Sequence, residues 1–392
     1  MIPDLYPVGN VIEVQPRKHK FKTNEYRATG SVPIIDQSTD FIAGFTDETD
    51  RAYDGELPVI IFGDHTCCLK FIDFRFAVGA DGTQLLRPVE GLDARYLYYA
   101  LHAVDLKQFG YQRHFKLLKD CEVRVPCLET QRRIASILGA YDDLIEVNRR
   151  RIAVLEEMAR GLFEEWFVRF RFPGHEAVSI LDTPDGPLPE GWTWGAAADL
   201  ITFDPRTLIP RDGLKPFISM GHLDTTTSLI APPEERDGNS GAKFRNGDTL
   251  FARITPCLEN GKTGLVRGLP GQDGIGFGST EFIVMRGETA GPAFTYCLAR
   301  QPSFRDNARN SMSGATGRQR ARTESLASLA MPVPALDLLR RFDAVVWPML
   351  ELVGFLGTAN VKLGASRDLL LPRLISGQLS VAEVERQLEE AA

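Results

Sequence analysis

The chain has 392 residues with a formal net charge of -7, and 43% of its residues are hydrophobic and 25% charged. This length and composition predict a globular, cytoplasmic protein of two or three domains and exclude collagen-like, disordered and membrane-spanning classes, since no run approaches about 18 uninterrupted apolar residues. The acidic balance argues against a surface that wraps nucleic acid as a whole, but it allows local basic patches.

Residues 1–127 are predicted to form a first module of mixed α+β structure. Turns rich in Gly, Pro and Asp separate short apolar runs, and the runs at 58–62 and 69–72 have the composition of strands. Basic residues occur near the start of the module and again before its end, where aromatic residues are interleaved with them. We predict that the basic side chains of this module that contact DNA are those of Arg17, Lys18, Lys20, Lys70, Arg113, His114 and Lys116.

A single long helix is predicted over residues 128–170. Apolar residues recur there in alternating steps of four and three, which is the spacing that keeps one stripe of a helix against a partner helix. Asn148 lies on this stripe, where a polar residue either fixes the register or is merely tolerated. The stripe, which we call the seam, is predicted to include Ile134, Leu138, Tyr141, Ile145, Asn148, Ile152, Leu155 and Leu162.

Residues 171–333 have the texture of the first module, with predicted strands at 249–254 and 281–285. Near the end of this second module, small residues stand beside arginines and a glutamine, a combination suited to phosphate contacts and to reading base edges. The alternative is a solvated basic turn. The candidate DNA-binding residues of this module are Arg253, Lys262, Ser313, Thr316, Arg318, Gln319 and Arg320.

The end of the second module repeats the end of the first. Pro126 and Pro334 lie 208 positions apart, and the Arg-Arg pairs at 132–133 and 340–341 have the same separation. The region 334–392 is therefore predicted to begin with a second long helix that has its own seam. Because proline lacks the amide needed inside a helix, Pro348 and Pro372 predict a kink or a break there.

Sequence motifs of catalysis and metal binding are not found. Six cysteines include no CxxC pair, and Gly261-Lys262-Thr263 lacks the first glycine of a phosphate-binding loop. Asp64 beside His65 has no accompanying nucleophile, and an aspartate that stabilises a turn is the commoner case. We therefore predict no catalytic residue and no metal site in this chain, which favours a recognition or scaffolding role.

Several segments resemble type I restriction–modification specificity subunits. Residues 131–167, from Gln131-Arg132-Arg133-Ile134 to Trp166-Phe167, are similar to the central region of that family, and residues 367–377 are similar to its distal region. Two sets of segments resemble two subclasses of the family's target recognition domains, namely 247–262 with 278–282, and 63–66 with 79–82 and 113–116. The resemblance covers essentially the whole chain.

The resemblance implies an α+β fold in which two mixed α/β target recognition domains, 1–127 and 171–333, are separated by two long antiparallel coiled-coil helices in a pseudo-two-fold internal repeat. Each domain would bind one half of a bipartite double-stranded DNA target. The chain would position two methyltransferase subunits and, in a larger assembly, restriction and translocase subunits. It would hold no cofactor itself, because S-adenosylmethionine, ATP and Mg²⁺ belong to the partner subunits.

Two other functions are compatible with parts of the sequence. The first is an enzyme that methylates or cuts DNA by itself, which the missing motifs oppose. The second is a coiled-coil adaptor or scaffold protein with no DNA role, which the arginine-rich segments oppose. Neither the recognised bases nor the spacer between half-sites can be deduced, because readout depends on which side chains reach which base edges and on DNA shape.

Overall fold

The structure is a computed structural model that describes residues 4–106, 113–314 and 319–391. These residues form two compact units. Unit 1 comprises Met1–Ile145 and Lys362–Ala392, and unit 2 comprises Glu146–Val361. Each unit therefore combines one of the modules with part of both long helices.

The described residues of the unit 1 module form nine strands in three small sheets. A four-stranded sheet has the order β2-β8-β5-β6, a three-stranded sheet has the order β4-β3-β7, and β1 pairs with β9. The pair β3 and β7 is parallel, whereas the other pairs are antiparallel. The strands are β1 Asp4–Pro7, β2 Ile12–Val14, β3 Val32–Ile35, β4 Gly44–Thr46, β5 Val59–Gly63, β6 Leu69–Ile72, β7 Ala77–Val78, β8 Thr83–Pro88 and β9 Glu122–Val125.

Helices of unit 1 pack beside the four-stranded sheet. The module contributes α1 Val8–Val11, α2 Ala94–His102 and α3 Phe115–Asp120, and the chain then enters the long helix α4 Leu128–Phe163. Asp93 begins α2 by accepting a hydrogen bond from the Tyr96 amide, as an N-cap residue does. The buried face of α2 then packs against Leu138 of α4 in the core of the unit.

Outside the gap at 315–318, the module of unit 2 forms twelve strands in four sheets. Two sheets have four strands, in the orders β13-β20-β17-β18 and β15-β14-β19-β16, and β10 pairs with β11 and β12 with β21. The strands are β10 Ile180–Thr183, β11 Gly186–Pro189, β12 Thr193–Ala196, β13 Thr202–Phe203, β14 Lys215–Ile218, β15 Glu234–Arg236, β16 Ala242–Arg245, β17 Thr249–Ala252, β18 Thr263–Leu265, β19 Ile275–Gly278, β20 Phe282–Arg286 and β21 Ala330–Val333.

An aromatic core joins the helices of unit 2. The module contributes α5 Pro292–Arg300, α6 Pro302–Asn310 and α7 Thr323–Ala327, and the chain then enters α8 Leu336–Ser376, followed by α9 Val381–Ala391 in unit 1. Phe163 of α4, Phe294 of α5 and Phe342 of α8 are buried together, with ring centroids 5.1 to 6.4 Å apart. Edge-to-face arrangements such as that of Phe294 and Phe342 are favourable aromatic contacts.

The two modules share one topology, which confirms the internal repeat. Their four-stranded sheets have matching orders, with β2, β8, β5 and β6 of the first corresponding to β13, β20, β17 and β18 of the second. The parallel pair β3 and β7 corresponds to the parallel pair β14 and β19. The strands β9 and β21, and the starts of α4 and α8, are separated by the same 208 positions as the proline pair in the sequence.

The predicted break in the second long helix is wrong. Helix α8 runs without interruption from Leu336 to Ser376, through Pro348 and Pro372. Proline in a helix interior costs about 3 kcal/mol. On either side of Pro348, Val346 and Leu350 are fully buried, and burying side chains of that size supplies comparable stabilisation.

The seam lies inside each unit where the long helices pair. In unit 2, Ile152 packs against Val353 and Leu356, and the Asn148 amide donates a hydrogen bond of 2.9 Å to the Asn360 side-chain oxygen. Since rising numbers on α4 meet falling numbers on α8, the helices of unit 2 are antiparallel. The predicted seam residues are buried or half-buried, namely Ile134, Leu138, Tyr141, Ile145, Asn148, Ile152, Leu155 and Leu162.

Among the described residues, one helix, Leu336–Ser376, has the length and composition to cross a membrane. This is weak support for a membrane span, because the core helices of globular proteins meet the same criterion. One face of this helix is occupied within unit 2, where Leu339, Phe342 and Val346 are fully buried.

Candidate nucleic-acid interface

In unit 2, Arg253 lies where β17 ends opposite the start of β20. Ala252, the last residue of β17, pairs with Phe282, the first residue of β20. The Arg253 amide donates to the Glu281 carbonyl at 3.0 Å, and the Arg253 carbonyl accepts from the Ala321 amide at 2.8 Å. The backbone of Arg253 is therefore fixed from both sides.

The basic segment before α7 folds onto this end of the sheet. Ser313 and Arg320 exchange two backbone hydrogen bonds of 3.0 and 3.2 Å, and the Thr255 amide donates to the Gln319 carbonyl at 3.1 Å. The structure thus brings Arg253 close to Ser313, Gln319 and Arg320, although Arg253 lies at least 60 positions earlier in the sequence. The predicted residues Thr316 and Arg318 lie outside the described residues.

Glu281 organises the charges at this site, although the sequence analysis gave it no role beyond its place in the segment 278–282. Its carboxylate accepts two hydrogen bonds from Arg320, 2.9 Å from Nε and 2.7 Å from Nη2. The Arg320 guanidinium lowers the pKa of Glu281, so this carboxylate is charged at neutral pH, and the same ion pair raises the pKa of Arg320. A bidentate pair of this kind holds the Arg320 side chain in one orientation.

An open cleft of about 690 Å³ adjoins Arg253 in the same unit. Its walls come from the loop at 204–209, the turn at 241–243 and the edge of the sheet at Thr280 and Phe282. Two further basic residues, Arg206 and Lys243, line it. The sequence analysis missed both, because their segments are distant in sequence from each other and from the arginine-rich segment.

Lys262 closes a turn of unit 2. Its ammonium donates a hydrogen bond of 2.9 Å to the Met220 carbonyl, and its side chain is half-buried. This contact joins the turn at 259–262 to the segment that follows β14. The described lining of the cleft does not include Lys262, so the structure does not bring it to Arg253.

In unit 1, two polar turns meet at the corresponding end of the four-stranded sheet. Gly63 at the end of β5 pairs with Thr83 at the start of β8, and the Asp64 amide donates to the Gly82 carbonyl at 2.8 Å. Gln37, which the sequence analysis did not identify, joins the turns. Its amide nitrogen donates to the Asp81 carbonyl at 2.8 Å, and its side-chain oxygen accepts from the His65 amide at 3.1 Å.

Basic residues from two distant segments surround Asp81 at this end of unit 1. Lys20 donates a hydrogen bond of 3.0 Å to the Asp81 carboxylate, while Arg17 donates to the Thr83 carbonyl. The hydrogen bond and charge of Lys20, with the charges of Arg17 and Arg113, lower the pKa of Asp81. The structure therefore gathers predicted residues from the segments 17–20 and 113–116.

Other predicted basic residues of unit 1 differ in accessibility. Arg113 and Lys116 are exposed, whereas Lys18 forms an ion pair with Asp54 on the surface.

Asp64 is a structural residue, as the sequence indicated, because its carboxylate accepts a hydrogen bond of 2.8 Å from the Phe115 amide at the start of α3.

Two predicted DNA contacts, Lys70 and His114, are wrong in this structure because both side chains are buried. The Lys70 ammonium donates to the carbonyls of Asp36, at 2.9 Å, and Asp40, and burial lowers its pKa. A ring nitrogen of His114 lies 3.1 Å from the Asp64 carbonyl. Charge and sequence neighbourhood alone did not distinguish these interior residues from the exposed Arg113 and Lys116.

Within the ranges that the structure describes, no group of three or more His, Cys, Asp or Glu side chains is arranged to hold a metal ion. The charged groups assembled at both sheet ends are instead mostly arginines and lysines, together with the carboxylates of Asp64 and Asp81 in unit 1 and of Asp204 and Glu281 in unit 2. Such an arrangement can bind anionic or hydrogen-bonding partners, as nucleic-acid surfaces require.

Comparisons with known proteins all find similarity to type I restriction–modification specificity subunits. The family model for the type I restriction modification DNA specificity domain matches residues 4–157. The type I restriction enzyme MjaIX specificity subunit of Methanocaldococcus jannaschii is 23% identical over 326 residues, which is 77% of this chain and 73% of that protein. The EcoEI specificity subunit of Escherichia coli is 29% identical over 154 residues, or 38% of this chain and 26% of that protein.

A solved structure has the same fold. The S subunit of a type I restriction–modification system from M. genitalium superposes with a TM-score of 0.57 at 13% identity, over 95% of this chain and 96% of that one. The structure has a repeated module with a long helix after each copy. The family model for the specificity domain matches the first copy together with most of the long helix that follows it. The chain is therefore similar in sequence to type I restriction–modification specificity subunits, and it has the fold of that S subunit structure.

Proposed function

We propose that this protein recognises DNA sequence for a type I restriction–modification complex, and that each module binds one half of a bipartite target. One observation carries the proposal. Modules with the same strand order gather basic side chains at the same place in the sheet, where β5 meets β8 in unit 1 and where β17 meets β20 in unit 2. Two equivalent surfaces on one chain suit a target with two recognised parts.

In this proposal the chain itself is not catalytic. Its residues would hold and orient DNA, whereas S-adenosylmethionine would be bound by methyltransferase subunits, and ATP and Mg²⁺ by restriction or translocase subunits. We include in this proposal that the protein acts in the cytoplasm, where such a complex meets DNA.

The paired helices of unit 2 offer a surface for the methyltransferase subunits. Val154 and Met158 of α4 come directly before the inward-facing positions 155 and 159. In the same way, Val345, Leu352 and Phe355 of α8 come directly before the buried positions 346, 353 and 356, which form the seam of that helix. In an antiparallel pair, positions with the same offset from the seam point to the same side. These exposed apolar side chains therefore share one face, and Phe355 is 70% exposed. An exposed apolar face of this kind is typical of a protein–protein interface.

DNA recognition is tested by co-expressing the chain with a methyltransferase subunit of the same system and sequencing the methylated bases of the host genome. We expect a two-part methyladenine motif. Replacing Arg113 and Lys116 with alanine should relax or weaken only one part, by about 1–3 kcal/mol for each lost base contact. Replacing Arg320 should act on the other part.

The control for this experiment is Arg150→Ala, which removes an exposed arginine of α4 that pairs with Glu146. It should leave the motif unchanged. A genome without methylation, while the two proteins form a stable complex, would contradict DNA recognition and favour an adaptor. A motif whose two parts both change when one module is altered would contradict the assignment of one part to each module.

The docking surface is tested with Phe355→Ser. Because this side chain is exposed, the substitution should leave the unfolding temperature within about 2 °C while weakening methyltransferase association at least tenfold in a pull-down titration. Leu214→Ser is the matched control, since Leu214 is also 70% exposed but lies in a loop of the module. Equal association of both variants and the unaltered chain would exclude this face.

A further inference from the structure

Within the described part of the chain, the Arg253 side chain has no hydrogen-bond partner, unlike those of Arg286, Arg300 and Arg320. Its Nε atom is buried and unpaired within the described part of the chain, and so is the hydroxyl of Thr255 two positions further on. By contrast, Arg286 pairs with Asp248, Arg300 donates to four backbone carbonyls, and Arg320 pairs with Glu281. A buried donor without an acceptor is costly, and in native structures it often marks a functional site.

The surroundings of Arg253 leave it free to bind a ligand in the cleft. Its backbone is held by the bonds to Glu281 and Ala321, and its side chain lines the cleft beside Phe282 and Val284. A guanidinium fixed at its base and partly desolvated by apolar neighbours forms stronger hydrogen bonds than one on a mobile, fully hydrated side chain.

The position of Arg253 favours a base over a phosphate as that ligand. Its side chain is half-buried, and the cleft beside it is lined by the apolar side chains of Phe282 and Val284, which a flat base covers more completely than a phosphate does. The Glu281 carboxylate is already paired with Arg320, so it leaves Arg253 available to the ligand. Arg206, which is exposed on the wall of the same cleft, is better placed for a phosphate contact.

We infer that Arg253 is a specificity-determining residue that reads a guanine in the DNA half-site bound by the second module. The planar fork of arginine matches the O6 and N7 acceptors that guanine presents in the major groove, and this is the commonest specific contact of arginine with DNA. Glu281 acts as a positioning residue, because it holds Arg320 beside the cleft and leaves the Arg253 fork unpaired. The inference rests on the proposed function.

The test is Arg253→Lys in the chain co-expressed with its methyltransferase subunit, with the methylated motif as the readout. Lysine keeps the charge but loses the bidentate fork. We expect the requirement for guanine at one position of one half-site to relax between about 5-fold and about 150-fold, while the other half-site stays unchanged. Arg309→Lys, a substitution on exposed α6, is the matched control and should keep the motif.

Binding of the purified complexes to DNA with and without the motif separates the outcomes. Equal weakening on both DNA molecules with an unchanged motif would identify a phosphate contact and overturn the inference. An unchanged motif with unchanged binding would also overturn it. If the unaltered complex methylates no motif, the proposed function fails instead. A comparison of unfolding temperatures with the unaltered chain shows that the variant is folded.

Discussion

Replacing Asp248 with alanine is expected to destabilise unit 2 by about 3–5 kcal/mol. Its carboxylate oxygens accept hydrogen bonds of 2.7 Å from Nε and Nη2 of Arg286, and the two side chains are 1% and 9% exposed. The ion pair joins β20 to the turn that begins β17. Without Asp248, the guanidinium would remain buried with no countercharge, and this loss dominates the expected effect.

Tryptophan fluorescence during urea unfolding measures this effect in unit 2 alone. The four tryptophans of the chain, at positions 166, 192, 194 and 347, all lie in that unit. The double variant Asp248→Ala with Arg286→Met is the control, and it should recover part of the lost stability because it also removes the buried charge. A loss below about 1 kcal/mol for Asp248→Ala would contradict the buried ion pair.

Replacing Val353 with aspartate should be at least as damaging to the helix pair of unit 2. Val353 is fully buried against Ile152, so a carboxylate there would lose its hydration without gaining a partner. We expect a cost of at least about 3 kcal/mol, visible as a lower urea midpoint or as loss of folded protein.

The neighbouring residue provides a matched control for Val353. Leu352 is 44% exposed, so Leu352→Asp adds the same charge to the same turn of α8 but leaves it in water. Its effect on the stability of unit 2 should be within about 0.5 kcal/mol. If both variants unfold at the same urea concentration, the seam does not lie where the structure places it.

The repeat and the helix pairing were predictable because both depend on periodic signals. The equal spacing of Pro126 and Pro334 located the second module and the starts of both long helices. The steps of four and three around Ile152 located the seam. Local propensity misled the prediction at Pro348, because burial of the neighbouring side chains outweighs the cost of one proline in α8.

The candidate site was predictable only in part, since it depends on contacts between distant segments. The arginine-rich segment before α7 was identified, but Glu281, Gln37 and the cleft residue Lys243 were not. No short motif marks Gln37 or Lys243, the segment 278–282 did not indicate a role for Glu281, and all three join the site through sheet pairing and turns. For the same reason the sequence did not show that Lys70 points into the interior.

In each module the last strand pairs with a strand near the start of the module. Asp4 of β1 lies opposite Val125 of β9, and Thr193 of β12 lies opposite Val333 of β21. Adjacent strands are about 5 Å apart, so the part of the module between these strands leaves and returns at nearly the same place. A gene segment that encodes one module could therefore be exchanged for a foreign one without moving the attachment points. If each module binds one part of the target, as proposed, such an exchange would change that part in a single event and leave the long helices as they are.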